Sequence, residues 1–321
     1  MHQVIYNGTL EKTAMRDQIA KTLDDLMAQD EKVAYLDADL MASMNTGFLT
    51  EKYPDRAIDC GIQEANMIGV AAGMSTEGMK PYCHTFGVFA SRRCYDQVFM
   101  SVGYAGNSVR VIGSDPGVQA LYNGGTHQPF EDTALYRVLP LSAIFEPCDT
   151  VQMDWALREV KDRPGVTYIR AARKNQPAIY APGSTFEQGK AAVLREGGDV
   201  TLLAAGMMVA EALEAAALLA KEGIHAAVAD VVTIKPLDQE TVCRLAKETR
   251  AVVTCENALV KGGLFGAVSE MLALHLPVPV EFVGLDERYG EVGDLAYLKQ
   301  AMKLNAQEIA AKAKKAIARK A

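Results

Sequence analysis

Three short segments hold residue types that could do chemistry together. Asp59-Cys60-Gly61-Ile62-Gln63-Glu64-Ala65-Asn66-Met67 places Glu64 in the first turn of an apolar segment that continues through Met67-Ile68-Gly69-Val70-Ala71-Ala72-Gly73. A carboxylate there suits the positive end of a helix dipole. It is equally placed to exchange a proton with a group docked at that helix end. Farther on, His84-Thr85-Phe86-Gly87-Val88-Phe89 offers two flat rings three positions apart. Gly124-Gly125-Thr126-His127-Gln128-Pro129 then presents His127, an imidazole able to donate or accept a proton near neutral pH, in a glycine-rich loop.

These segments need a scaffold, and the hydrophobic pattern predicts one. Short β-branched runs alternate with longer amphipathic stretches, the signature of parallel α/β layers. Helices are expected over 13–27, 63–74, 91–102 and 150–161, with strands over 33–37, 80–84, 109–112 and 166–170. A glycine-rich loop runs from the strand at 109–112 to Pro129. The stretch 175–198 breaks the rhythm with Pro177, Pro182, Gly183, Gly189, Gly197 and Gly198, and reads as a linker with room for a short hairpin. A second α/β unit follows, with strands at 200–204, 226–232, 251–255 and 280–283 and helices over 208–222, 239–248, 264–274 and 307–318. The expected architecture is two parallel-sheet, three-layer α/β domains, 1–178 and 199–321, joined by a linker at 179–198. Such folds place sites at the ends of their strands but do not by themselves fix a function.

The motifs carry the reading further. Asp55-Arg56 and Asp59 to Met67 resemble the transketolase stretch that holds that family's invariant glutamate. The resemblance implies that Glu64 is catalytic and hydrogen-bonds N1′ of the aminopyrimidine of thiamine diphosphate. That role needs a carboxylate held in a mostly apolar site, able to carry and give a proton. Thr85 to Phe89 resembles the family's aromatic clamp, which would pack Phe86 and Phe89 against the pyrimidine. Arg92 or Arg93 falls where relatives carry an aromatic or Arg beside the same ring, and Arg92 is assigned to the cofactor. The loop ending Thr126-His127-Gln128-Pro129 resembles the family's Gly-Pro-Thr-His-Gln-Pro, which gives His127 a place at the donor's hydroxymethyl and carbonyl groups. Arg16, Ser43 and Arg173 match the family's phosphate-recognition set, with Arg170 the alternative to Arg173 if the register slips.

Two positions depart from that pattern. Asn123, next to the bulkier Tyr122, stands where the family uses an aspartate on a sugar hydroxyl. Asp115, in Gly113-Ser114-Asp115-Pro116-Gly117, stands where many members place a phosphate-contacting histidine. A carboxylate repels a phosphate unless it is screened or turned away. The reaction type is therefore expected to be kept, while the sugar is expected to be branched, sulfonated or otherwise modified.

Val232-Thr233-Ile234-Lys235-Pro236-Leu237-Asp238 and Thr254-Cys255-Glu256-Asn257 resemble the family's C-terminal domain, which packs and dimerises. The Gly-Asp-Gly…Asn motif that holds Mg²⁺ and the cofactor's diphosphate in the family does not occur in the sequence, and no metal ligand is assigned to this chain. The resemblance thus implies the C-terminal subunit of a split transketolase. It would move a two-carbon ketol unit from a ketose, by default a sugar phosphate, to an aldose. An N-terminal-type partner would bind the diphosphate and Mg²⁺, and a dimer of this chain would form the centre of a heterotetramer. Alternatives are the β subunit of a 2-oxo-acid dehydrogenase, which shares the glutamate, and a non-catalytic scaffold or regulatory paralogue. The Thr-His-Gln-Pro loop and Ile-Lys-Pro-Leu-Asp favour the transketolase.

Composition narrows the partners. A net charge of −7 argues against nucleic acid, because phosphate contacts need clustered Lys and Arg. The basic tail at 312–320 suits a solvated helix end. No apolar run reaches the length of a membrane span, and the first residues lack a signal-peptide pattern. Six scattered cysteines without a CxxC pair read as buried hydrophobes of a reducing cytoplasm.

Overall fold

The computed structural model describes residues 2–320; Met1 and Ala321, the outer ends of the two expected domains, lie outside the described residues. The strands are β1 Val33–Asp37, β2 Ala57–Asp59, β3 Lys80–Phe86, β4 Val109–Ser114, β5 Ala143–Phe145, β6 Val166–Ala171, β7 Ala192–Arg195, β8 Val200–Ala204, β9 Ala226–Asp230, β10 Thr233–Lys235, β11 Val252–Leu259 and β12 Val280–Leu285. They form two sheets, ordered β10-β5-β6-β4-β3-β1-β2 and β12-β11-β8-β9-β7. All pairs are parallel except one at an edge of each sheet, β10 with β5 and β7 with β9.

Each sheet is covered on both faces, and β1, β4 and β8 are buried along their whole length. Helices Met15–Gln29 and Thr150–Glu159 cover one face of the first sheet through Ile19, Leu23, Met153 and Leu157. Helix Glu64–Thr76 and the helical stretch Phe89–Tyr104 cover the other with Met67, Ile68, Val98 and Val102. The second sheet lies between Met208–Ala220 with Ala306–Ala318 and Gln239–Thr249 with Leu264–His275. Asp149, Asp238 and Asn305 cap three of these helices by accepting backbone N–H groups, which sharpens their starts.

The structure departs from the expected elements in three ways. The stretch 179–198 is not simply a connection: β7 lies in it and joins the second sheet rather than a local hairpin, and the N-terminal segment bridges to it at Val4–Tyr180. The second unit lends β10 to the first sheet, so the division between domains is crossed by hydrogen bonds. The helix expected over 91–102 begins at Phe89 and is mostly wide, π-type turn, over Phe89–Arg93 and Val98–Tyr104. Such widening turns side chains out of the α-helical phase and recurs at functional sites.

Among the described residues, no helix is long and apolar enough to cross a membrane. The six cysteines form no disulfide.

Candidate active site

The residues singled out above converge at the C-terminal ends of β1, β3, β4 and β6. Glu64 opens its helix and is 2 % exposed. Its Oε1 accepts a hydrogen bond of 2.8 Å from Nη1 of Arg93, while Oε2 is buried and has no hydrogen-bond partner. The same Arg93 guanidinium lies 3.9 Å above the Phe89 ring. Arg93 thus ties the carboxylate to the aromatic group, and the assignment of Arg92 to the cofactor needs correction. Arg92 turns away to an ion pair with Glu131 at 3.1 Å. Phe89 and Arg93 share one face of a π-type turn, whose phase no α-helical spacing in the sequence announces.

Phe86 ends β3, and with Phe89 it brackets the His127 ring. The His127 centroid is 5.9 Å from Phe86 and 5.4 Å from Phe89, both edge-on, and the two phenylalanines are 6.3 Å apart. The His127 loop reaches them because Gly87 has no side chain; a Cβ there would lie 2.7 Å from Cγ of Pro129. On its other side the loop rests on the second domain. Gln128 donates to the Glu291 carbonyl at 2.8 Å and accepts from its N–H at 3.0 Å. Gly125 packs so closely on Gly290 that a Cβ would sit 2.8 Å from its carbonyl oxygen. Nδ1 of His127 is 2.9 Å from Oγ1 of Thr126, which leaves Nε2 to face a ligand. Asn123 is exposed on the same loop, where its carbonyl accepts from the Thr126 hydroxyl.

The second group is joined to the first through Phe86, whose ring lies 5.0 Å from the Arg173 guanidinium. Arg173 is gripped by Asp115: Nε donates to both carboxylate oxygens at 2.9 and 2.8 Å, and Nη2 approaches Oδ2 at 2.6 Å. Arg16 donates its backbone N–H to the Arg173 carbonyl at 3.3 Å and its Nη1 to the Ser43 carbonyl at 3.2 Å. Its Nε is buried and without a hydrogen-bond partner. Backbone carbonyls thus set Arg16 beside Arg173 and Ser43, while the Arg173 side chain is the one that holds Asp115. Arg170, the alternative to Arg173, points elsewhere. It is fully buried, with Nε on Asp132 at 2.9 Å and Nη1 beside Glu146 at 2.7 Å.

Sequence reasoning missed a buried relay beneath Phe86. His84 is 2.7 Å from Asp37 and 3.0 Å from Ser114, and Tyr35 donates to Asp37 at 2.6 Å. All four are sealed from solvent, so they brace the ends of β1, β3 and β4 rather than meet a substrate. Among the described residues no three His, Cys, Asp or Glu side chains gather as a metal-binding group.

Replacing Arg93 by Ala is expected to weaken thiamine diphosphate binding about tenfold, the scale of one lost charge-assisted hydrogen bond, while Arg92→Ala changes it less than threefold. Titration of the assembled enzyme with the cofactor, followed by fluorescence, checks the contrast.

Both domains have counterparts among known proteins. Residues 11–178 match the family described as transketolase, pyrimidine binding domain, and residues 189–309 match transketolase, C-terminal domain. The 6-deoxy-6-sulfo-D-fructose transketolase subunit of Clostridium sp. (strain MSTE9) is 47 % identical over 300 residues, covering 94 % of this chain and 93 % of that one. Human transketolase is 34 % identical over 263 residues, 81 % of this chain but 42 % of its own length. A solved structure described as a split gene transketolase, inactive beta4 tetramer, superposes with a TM-score of 0.88 at 38 % identity, over 97 % of this chain and all of that one. The chain belongs to the transketolase family and corresponds to the C-terminal subunit of its split members, with the pyrimidine-binding and C-terminal domains in succession.

Proposed function

We propose that this chain is one half of a two-chain, thiamine-diphosphate-dependent transketolase that moves a two-carbon ketol unit from an anionic ketose to an aldose. One observation carries the reading: Glu64 has one oxygen fixed by Arg93 and the other buried and unpartnered, within the same cluster as Phe86, Phe89 and His127. An orphaned carboxylate oxygen in such a place is costly unless a ligand meets it. A ring nitrogen of the aminopyrimidine would meet that oxygen, and the aromatic side chains suit its flat faces.

When bound, the cofactor supplies the centre that stabilises a carbanion while the carbon–carbon bond is cut and remade. The chain's own residues do the rest. Glu64 holds and passes a proton at Oε2. Arg93 fixes the carboxylate's rotamer and covers Phe89. Phe86 and Phe89 exclude water from the ring. His127, through Nε2, donates to the donor's oxygen, and its orientation is set by Thr126 and by the grip of Gln128 on Glu291. Asn123 replaces a carboxylate on the sugar side, and Arg16, Ser43 and Arg173 receive the anionic far end.

The diphosphate and Mg²⁺ would be held by an N-terminal-type partner subunit, with this chain self-associated at the centre of a cytoplasmic heterotetramer. The relative described as an inactive β tetramer supports both self-association and dependence on a partner. The relative that acts on 6-deoxy-6-sulfo-D-fructose supports a sulfosugar as donor. Purification of the native assembly under mild conditions, with mass spectrometry of what accompanies the chain, tests the proposal. The expected result is a stoichiometric partner carrying a Gly-Asp-Gly…Asn motif and ketol transfer by the pair. Recovery of this chain alone, unable to bind thiamine diphosphate with Mg²⁺, would overturn it.

A further inference from the structure

We infer that Asp115 makes this site select ketoses whose far end carries one permanent negative charge, as a sulfonate does, over those ending in a phosphate dianion. The inference rests on the reading of this cluster as the anion end of a ketol-transfer site and deepens it. The first support is the charge at the cluster. Around the cavity that Asp115 and Arg173 line, Arg173, Lys174 and Lys299 contribute three positive charges and Asp115 and Glu211 remove two, leaving +1 for the ligand. Of the groups around it, Asp17 stands 3.8 Å from Nε of Arg16, Lys174 follows Arg173 in the chain, and Lys299 is paired with Glu211 across the adjoining cavity. Arg16 does not line the cavity and is offset by Asp17, so the net charge stays at +1. A phosphate monoester carries −1.5 to −2 at pH 7, with its second ionisation near pH 6. A sulfonate carries −1 throughout.

The second support is that Asp115 cannot turn away cheaply. Its side chain is 4 % exposed, and its backbone sits in the left-handed region at φ 58°, with its N–H bonded to the Ala171 carbonyl at 3.0 Å. The residues that follow are pinned from the second domain. Asn257 donates to the Pro116 carbonyl at 2.8 Å and accepts from the Val118 N–H at 3.0 Å. The carboxylate occupies Nε and one edge of Nη2 on Arg173. Of the five donors of a guanidinium, those on Nη1 and the far edge of Nη2 remain. A cavity of about 230 Å³ opens between the domains against both Asp115 and Arg173, with Leu10, Leu121 and Met207 in its wall. A ligand's far end placed there meets the Arg173 edge that remains and the Asp115 carboxylate together. The second charge of a phosphate has no partner left and faces a carboxylate. Across several ångströms of partly buried protein, that repulsion corresponds to roughly ten- to hundredfold discrimination.

The test uses the enzyme assembled with its partner subunit, thiamine diphosphate and Mg²⁺. kcat/KM is measured for two ketoses of equal chain length, one ending in a sulfonate and one in a phosphate. The wild type is expected to favour the sulfonate at least tenfold at pH 7.5. That ratio is expected to shrink severalfold toward about pH 6, where the phosphate gains its proton and the sulfonate does not. Asp115→Asn, which keeps the shape and removes the charge, is expected to move the ratio at least tenfold toward the phosphate, mostly in KM. A wild-type ratio flat with pH, or one unmoved by Asp115→Asn, overturns the selection by charge. If the variant fails to fold, the pH dependence of the wild-type ratio decides alone. Transfer from neither ketose overturns the ketol-transfer reading, and this inference with it.

Discussion

Glu64→Gln is expected to lower ketol transfer by the assembled enzyme about 10²- to 10⁴-fold, the range general acid–base groups contribute, while leaving the chain folded and paired with its partner. Glutamine has the same shape. Its carbonyl oxygen still accepts from Arg93, and the contact of Arg93 with Phe89 is unchanged. What disappears is the ability to hold a proton at the buried second oxygen. The fold loses little, because the remaining contribution of Glu64 is a negative charge at a helix start, about 0.3–1 kcal/mol. The two consequences separate in experiment. Single-turnover transfer reads the chemical step, and the unfolding midpoint reads the fold. Turnover within threefold of wild type would remove Glu64 from the proton path. A loss of turnover matched by a loss of stability would make it a structural residue.

The scaffold around Glu64 was legible in the sequence to an uneven degree. β1 and β8 appear over the residues their apolar runs predicted, because a strand buried on both faces leaves an unbroken signature. β2, β5, β7 and β10 were invisible, since three or four residues carry no period and their pairing partners lie far along the chain. β10 shows the cost most plainly: its residues follow the strand expected over 226–232 and were given no strand of their own, yet Thr233 pairs with Phe145 of the other unit. Within the site, the motifs named Glu64, Phe86, Phe89 and His127, and the structure gathers these four. The choice between Arg92 and Arg93 needed the phase of a helix that is not α-helical at that point. The Asp37–His84–Ser114 relay was hidden because its members come from three strands and no local spacing relates them. Asp115 was visible as a departure, but its meaning depended on the partner it found. Sequence shows a carboxylate where a phosphate-contacting histidine is expected; only the fold shows it holding Arg173.

The second large effect is on the joint between domains. Arg170→Met is expected to destabilise the chain by about 3–5 kcal/mol, the usual consequence of deleting one partner of a buried ion pair. Arg170 has no exposed surface and serves four groups: Asp132 at 2.9 Å, Glu146 at 2.7 Å, and the carbonyls of Asn257 at 3.0 Å and Pro129 at 3.4 Å. Asp132 and Glu146 belong to the first domain, Asn257 to the second, and Pro129 ends the His127 loop. Without the guanidinium, Glu146 has no hydrogen-bond donor for either oxygen among the described residues. Burial already holds its carboxyl above the usual range, against the opposing pull of Arg170. In the variant that burial acts unopposed, so the folded chain keeps Glu146 protonated where the unfolded chain, titrating near pH 4.3, releases the proton. The folded state then binds more protons, and stability falls as pH rises above that value. The penalty in the variant is therefore expected to be smaller at pH 5 than at pH 8, by urea titration at each pH. Arg170→Lys should recover part of the loss, because it restores the charge but not the fork that reaches both carboxylates. An equal penalty at both pH values would place the loss in packing rather than in the stranded carboxylate. A variant as stable as wild type would mean that the network specifies how the domains meet without holding them together. In that case the His127 loop, which shares Pro129 with the network, is where its effect on transfer would be read.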